Sequence, residues 1–181
     1  MSDRSCHNLV LIGYRGSGKT TVGRLLAARL GWRLADSDAI VEAEAGRSIA
    51  EIFADCGEPA FRRLETAVIG RLASGRRQVI SAGGGAVESD DNVSVLRAAG
   101  VVVWLTAAAE VLWQRIDADR RSARSRPDLT SSGGFDEVRD VLARREPLYR
   151  GAADVTIDTT RQTADAVAEA VLAAVAGRLG G

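Results

Sequence analysis

Residues 8–20, "NLVLIGYRGSGKT", constrain this chain more than any other stretch. A short apolar run of buried-strand length meets Gly13, Gly16 and Gly18, then Lys19 and Thr20, and so fits the pattern G-x-x-x-x-G-K-[ST]. Beyond it, residues 20–31 space Val22, Leu25, Leu26 and Leu30 along one helical face and stop at Gly31. Strand, glycine-rich turn and helix in that order make a phosphate cradle. The glycines let backbone amides turn inward, and the helix adds the positive end of its dipole. Lys19 sets a compact charge against the β- and γ-phosphates of a nucleotide, and the Thr20 hydroxyl suits Mg²⁺. A tight strand–helix turn with no ligand needs the glycines too, but it does not need the lysine. All but one of the 24 basic residues are arginine, and the exception is Lys19. Coding bias explains the arginines; a broad guanidinium fits such a cradle less readily than an ammonium does.

The rest of the chain reads as strands alternating with helices. Strands are expected at 32–38, 78–85, 101–105 and 154–158. Helices are expected at 39–46, 48–57, 59–74, 89–98, 107–117, 135–149 and 163–178. Right-handed crossovers then give a single domain over 1–181, a three-layer α/β/α sandwich around a parallel sheet of about five strands. One long segment, 118–134, has no periodicity and is rich in arginine. A net charge of zero gives no broad footprint for nucleic acid or an anionic membrane. The apolar runs are too short to cross a bilayer, and the N-terminus lacks a secretory pattern. Cys6 and Cys56 lie far apart with only His7 nearby, which is neither a disulfide framework nor a zinc site. The expectation is a reduced cytoplasmic protein, with Cys56 packed and any metal arriving with a ligand.

Four further stretches bear on an acceptor. "DSD" (36–38) sets Asp36 and Asp38 at the C-terminal end of the second strand, the edge where open α/β sheets bind ligands. If the strand persists, both carboxylates share a direction, one for a metal-bound water and one for an acceptor hydroxyl. Asp38 could equally cap the next helix. In "FRRLE" (61–65), Arg62 and Arg63 point about 100° apart, so one could clamp an anion, or both could be solvated. "GGG" (83–85) allows close approach to backbone amides, or simply a tight turn. "RREPLYR" (144–150) reads as a helix end followed by a proline-stiffened turn, its arginines complementing the helix dipole.

In this order, "GYRGSGKTTVGRLLA", "DSD", "FRRLE", "GGG", the "RP" at 126–127, "REPLY" and "DVTIDT" resemble the shikimate kinase family from about residue 8 to about residue 162. The resemblance implies a P-loop fold of the nucleoside-monophosphate-kinase type, with a mobile lid at 118–134 and an acceptor-binding segment at 38–74. It implies a monomer that transfers the γ-phosphoryl group of ATP to the 3-hydroxyl of shikimate. Gly16, Ser17, Gly18, Lys19, Thr20 and Thr21 would wrap the ATP phosphates, Thr20 and Asp36 would serve Mg²⁺, and Asp38 would meet substrate hydroxyls. Arg62 and Arg145 would hold the shikimate carboxylate, with Gly84 as a backbone contact. Arg126 would swing over the phosphates, while Arg115 and Gln162 would lie beside the nucleotide base. The lid reads "RPDL" followed by "TSSGG", where the family pattern is "RPLL". Kinases of related hydroxylated acids (aminoshikimate, gluconate) and a nucleotide-binding module without catalysis are the alternatives. Asp38 together with Arg62 and Arg145 discriminates against the first, and the intact Lys19, Asp36, Asp38 and Arg126 argue against the second.

Overall fold

The hydrophobic alternation in the first strand sets the layering. The structure, a computed structural model, describes residues 7–122 and 134–179. In β1 (Asn8–Ile12) every residue is buried. Val10 and Ile12 face one apolar cluster and Leu9 and Leu11 face another, as the two-residue period of a strand requires. With β2 (Arg33–Asp36), β3 (Gln78–Ser81), β4 (Gly100–Thr106) and β5 (Val155–Asp158) it forms a five-stranded parallel sheet in the order β2-β3-β1-β4-β5. The central strand is therefore β1, flanked on both sides and free of any edge.

Helices cover both faces. On one, α1 (Lys19–Leu30) and α7 (Ala164–Val175) press Leu26, Val167 and Val171 onto Leu11, Val103 and Leu105. On the other lie α2 (Ser37–Ala45), α3 (Ile49–Ala73), α4 (Asp90–Ala99) and α6 (Gly134–Ala152). Their Val41, Phe61, Ile69, Leu96 and Tyr149 pack with Ile80, Val102 and Trp104. Beyond the C-terminal edge of the sheet, α5 (Ala109–Ser122) joins α6 through a third cluster that includes Tyr14, Leu112, Ile116, Val138 and Val141. Three layers and five strands agree with the expectation from sequence.

Several boundaries differ, each for a local reason. The strand at 32–38 ends at Asp36, because the Asp36 carboxylate accepts from the amides of Asp38 and Ala39 and so starts α2. The segments 48–57 and 59–74 join end to end as α3. Its start carries a capping box between Ser48 and Glu51, and Gly57, at φ 75°, interrupts the helix where the sequence placed a stop. The helix α5 runs past residue 117 into the stretch read as aperiodic. The proline-stiffened turn expected in "RREPLYR" is instead helical: α6 continues through Pro147 to Ala152, with Tyr149 and Ala152 buried. Cys56 is exposed rather than packed. Among the described residues, no helix is long and apolar enough to cross a membrane.

Candidate active site

The turn after β1 lies where the chain order reverses, since β3 flanks β1 on one side and β4 on the other. Such a switch point opens a crevice at the C-terminal edge of the sheet. Gly13 sits there at φ 144°, so close to β4 that a Cβ on it would fall 2.3 Å from the Leu105 carbonyl oxygen. Gly18, at φ 92°, begins α1 without a side-chain cap, which leaves the amides of the first turn facing the crevice. Lys19 Nζ donates to the carbonyls of Gly13 (2.7 Å) and Tyr14 (3.0 Å), and so lies across the loop.

The crevice is a cleft of about 710 Å³. Gly16, Ser17, Gly18, Lys19, Thr20 and Thr21 line it, together with Asp36, Asp38, Gly84, Arg115 and Gln162. Thr20 Oγ1 donates to Asp36 Oδ2 at 2.8 Å, and Ser81 Oγ donates to the same oxygen at 3.2 Å. A hydroxyl and a carboxylate this close, beside a lysine and a helix N-terminus, form the hard-oxygen donor set that suits a divalent ion carried in on phosphates. Among the described residues, no cluster of three or more His, Cys, Asp or Glu could hold a metal unaided. Arg115 donates to the Gly16 carbonyl (3.2 Å), to Thr159 Oγ1 (3.0 Å) and to the Thr159 carbonyl (2.8 Å), which ties the loop to the segment after β5. Gln162 Nε2 donates to the Asp158 carbonyl at 2.6 Å.

On the acceptor side, the three glycines leave room for other side chains. A Cβ on Gly83 would fall 2.5 Å from Asp38 Oδ1 and 2.7 Å from Glu65 Oε1. One on Gly85 would fall 2.4 Å from Arg62 Nη1. The turn is held from both ends: the Gly83 amide donates to Ser37 Oγ (2.9 Å), and the Tyr149 hydroxyl donates to the Gly84 carbonyl (2.6 Å). Burial pushes the Tyr149 hydroxyl pKa well up, although Arg145 pulls against it, so it stays a donor at any ordinary pH. Asp38 is buried in the first turn of α2, while Asp36 is the residue that caps the helix.

Arg62 on α3 and Arg145 on α6 do not line the cleft; Arg62 lies against Gly85, and one carboxylate joins it to Arg145. Glu88 Oε2 accepts from Arg62 Nη2 and from Arg145 Nη2, both at 2.8 Å. Arg63, by contrast, is exposed, so of the two neighbouring arginines only Arg62 turns inward. Arg126 lies outside the described residues.

The sequence reading missed the acids. Glu58 and Glu65 pair with Arg62 at 2.9 and 2.8 Å; their spacings of four and three residues on one helix were the available signal. Glu88 had none, nor did Glu137, which pairs with Arg15 of the glycine loop at 2.8 Å. Burial pushes the Glu65 carboxyl pKa up and Asp38 adds to this, while Arg62 and Arg145 oppose it. A carboxyl raised in the fold binds its proton more tightly there than in the unfolded chain. Its contribution to stability is thus greatest below its ordinary pKa near 4.5 and is lost as pH rises above that. The Tm of the wild type relative to Glu65→Gln should therefore decline as pH is raised from about 4 to about 7. A difference that grows over this range in thermal melts would show that the carboxyl is held charged.

The shikimate kinase family model matches residues 15–176. A shikimate kinase from Symbiobacterium thermophilum is 48% identical over 163 residues, covering 90% of this chain and 92% of that protein. One from Rhodopirellula baltica is 41% identical, covering 96% of this chain and 92% of that one. The solved structure of shikimate kinase from Acinetobacter baumannii in complex with shikimate superposes with a TM-score of 0.88 at 38% identity, covering 96% of this chain and 94% of that one.

Proposed function

The chain belongs to the shikimate kinase family, and on that premise we propose that it transfers the γ-phosphoryl group of ATP to the 3-hydroxyl of shikimate. One observation carries the substrate assignment. Lys19 of the phosphate cradle and the buried Asp38 line one cleft, and at the glycine turn beside it, where Asp38 lies against Gly83 and Arg62 against Gly85, Arg62 and Arg145 converge on a single carboxylate. Shikimate is a small cyclic triol with a carboxylate. It needs cations at one end and hydroxyl acceptors at the other, within reach of the phosphate donor.

In this reading the amides of Gly16 to Thr21 and the Lys19 ammonium hold the phosphates, and Arg115 and Gln162 border the base. Mg²⁺ bound with ATP, held by Thr20 and Asp36, would neutralise part of the phosphate charge. Arg62 and Arg145 fix the shikimate carboxylate, and the backbone at Gly84 lies along the ring. Asp38 orients the 3-hydroxyl and takes its proton as the oxygen bonds to the γ-phosphorus and ADP departs. Arg126 is assigned to the charge that spreads over the phosphoryl oxygens in flight. Positioning and electrostatics supply most of what such a transfer requires. The protein is proposed to act as a cytoplasmic monomer.

The test is ADP release from MgATP with shikimate, gluconate, AMP or no acceptor. Turnover is expected with shikimate alone. Equal or faster turnover with gluconate would transfer the assignment to that acid, and release with none of them would leave only a nucleotide-binding module.

A further inference from the structure

Two guanidinium groups that converge on one point should meet an anion there, and in this chain the anion is already present within the fold. Glu88 ends a short 3₁₀ turn, Ala86–Glu88, that follows the three glycines. Its Oε2 accepts from both Arg62 and Arg145, and its Oε1 lies 3.6 Å from Arg144. Arg62 also donates twice to Glu58 and once to Glu65, so four of its five N–H groups meet glutamate oxygens. The Nε of Arg145 is buried and has no hydrogen-bond partner. The arginine pair is therefore charge-balanced before any acid arrives, yet it retains unused donor capacity.

We propose that Glu88 is a specificity-determining residue: its carboxylate competes with the carboxylate of the substrate for Arg62 and Arg145, so that the acid binds by exchange with it. The proposal rests on the reading that these arginines hold shikimate. Two carboxylates cannot both keep close bonds to the same two guanidinium nitrogens without strong mutual repulsion. The one to yield is Glu88. Arg62 is anchored by Glu58 and Glu65, and Arg145 is 7% exposed, whereas the Glu88 side chain is 26% exposed and stands on a three-residue turn. The exchange costs affinity for every acid. A ligand without a carboxylate meets no such repulsion, so Glu88 narrows the margin between an acid and its neutral analogues.

Calorimetric titration of shikimate into the full chain, for the wild type, Glu88→Gln and Glu88→Ala, provides the test. Removing the charge should tighten shikimate binding about tenfold, and KM should fall in parallel. The preference for shikimate over its methyl ester, read as a ratio of kcat/KM, should rise by about the same factor, because the ester brings no charge for Glu88 to repel. A merely structural role would shift acid and ester alike. Unchanged or weaker shikimate binding in Glu88→Gln, which keeps shape and removes only charge, overturns the proposal even if Glu88→Ala fails to fold. Wild-type turnover of shikimate separates the two levels. If it is present while Glu88→Gln does not tighten, only this inference falls; if it is absent, the functional reading falls and takes this inference with it.

Discussion

Replacing Lys19 by alanine is expected to lower turnover of shikimate by about 10²–10³-fold, the range typical for loss of one preorganised charge at a developing transition state. The residue is the only lysine of the chain, and its ammonium spans the carbonyls of Gly13 and Tyr14 inside the loop that would hold the phosphates. The arginine of the same loop, Arg15, pairs with Glu137 on α6. Since Lys19 opens α1 and alanine is a good helix former, the fold should survive, and a melting curve checks that. Lys19→Arg is the sharper control. It keeps the charge but not the compact shape, and activity close to that of the wild type would mean that charge alone suffices.

Asp38→Asn is expected to cost about 10²–10⁴-fold in turnover, the usual worth of a positioned general base. The substitution keeps the shape and removes the proton acceptor. Asp38 and Asp36 differ in where they stand. Asp36 is occupied on both oxygens, with the amides of Asp38 and Ala39 on Oδ1 and the hydroxyls of Thr20 and Ser81 on Oδ2. Asp38 lies against Gly83, at the acceptor end of the same cleft. The effect should fall on kcat more than on the affinity for shikimate, which the proposed function assigns to Arg62 and Arg145. A kcat within a few-fold of the wild type would remove Asp38 from the proton-transfer role.

What the sequence could reveal follows from how local each cause is. The strand, loop and helix over 8–31 are written in contiguous residues, and they appear where expected. In "DSD" the two acids were recognised but their geometry was not. Asp36 turns the chain into a helix, so both acids reach the cleft although the strand does not persist. At Pro147 a local rule misled: a proline removes one backbone donor, yet α6 continues, its next turn held by the burial of Tyr149 and the stacking of that ring on Trp104. The ion partners were the least legible. Glu88 meets Arg145 across 57 residues and Glu137 meets Arg15 across 122, distances at which only the folded sheet decides who stands beside whom.

The break at Gly57 divides α3 into two mechanical units. The helical backbone is broken at Gly57, at φ 75° and ψ 169°, and the rings of Phe53 and Phe61, whose centres are 5.0 Å apart, meet across the break. A fluctuation that frays Ile49–Cys56 can therefore stop at the glycine without unwinding the turns that carry Arg62 and Glu65. Helix α2 bridges the break, since its Glu42 accepts from the Ile49 amide before the glycine and its Glu44 pairs with Arg71 after it.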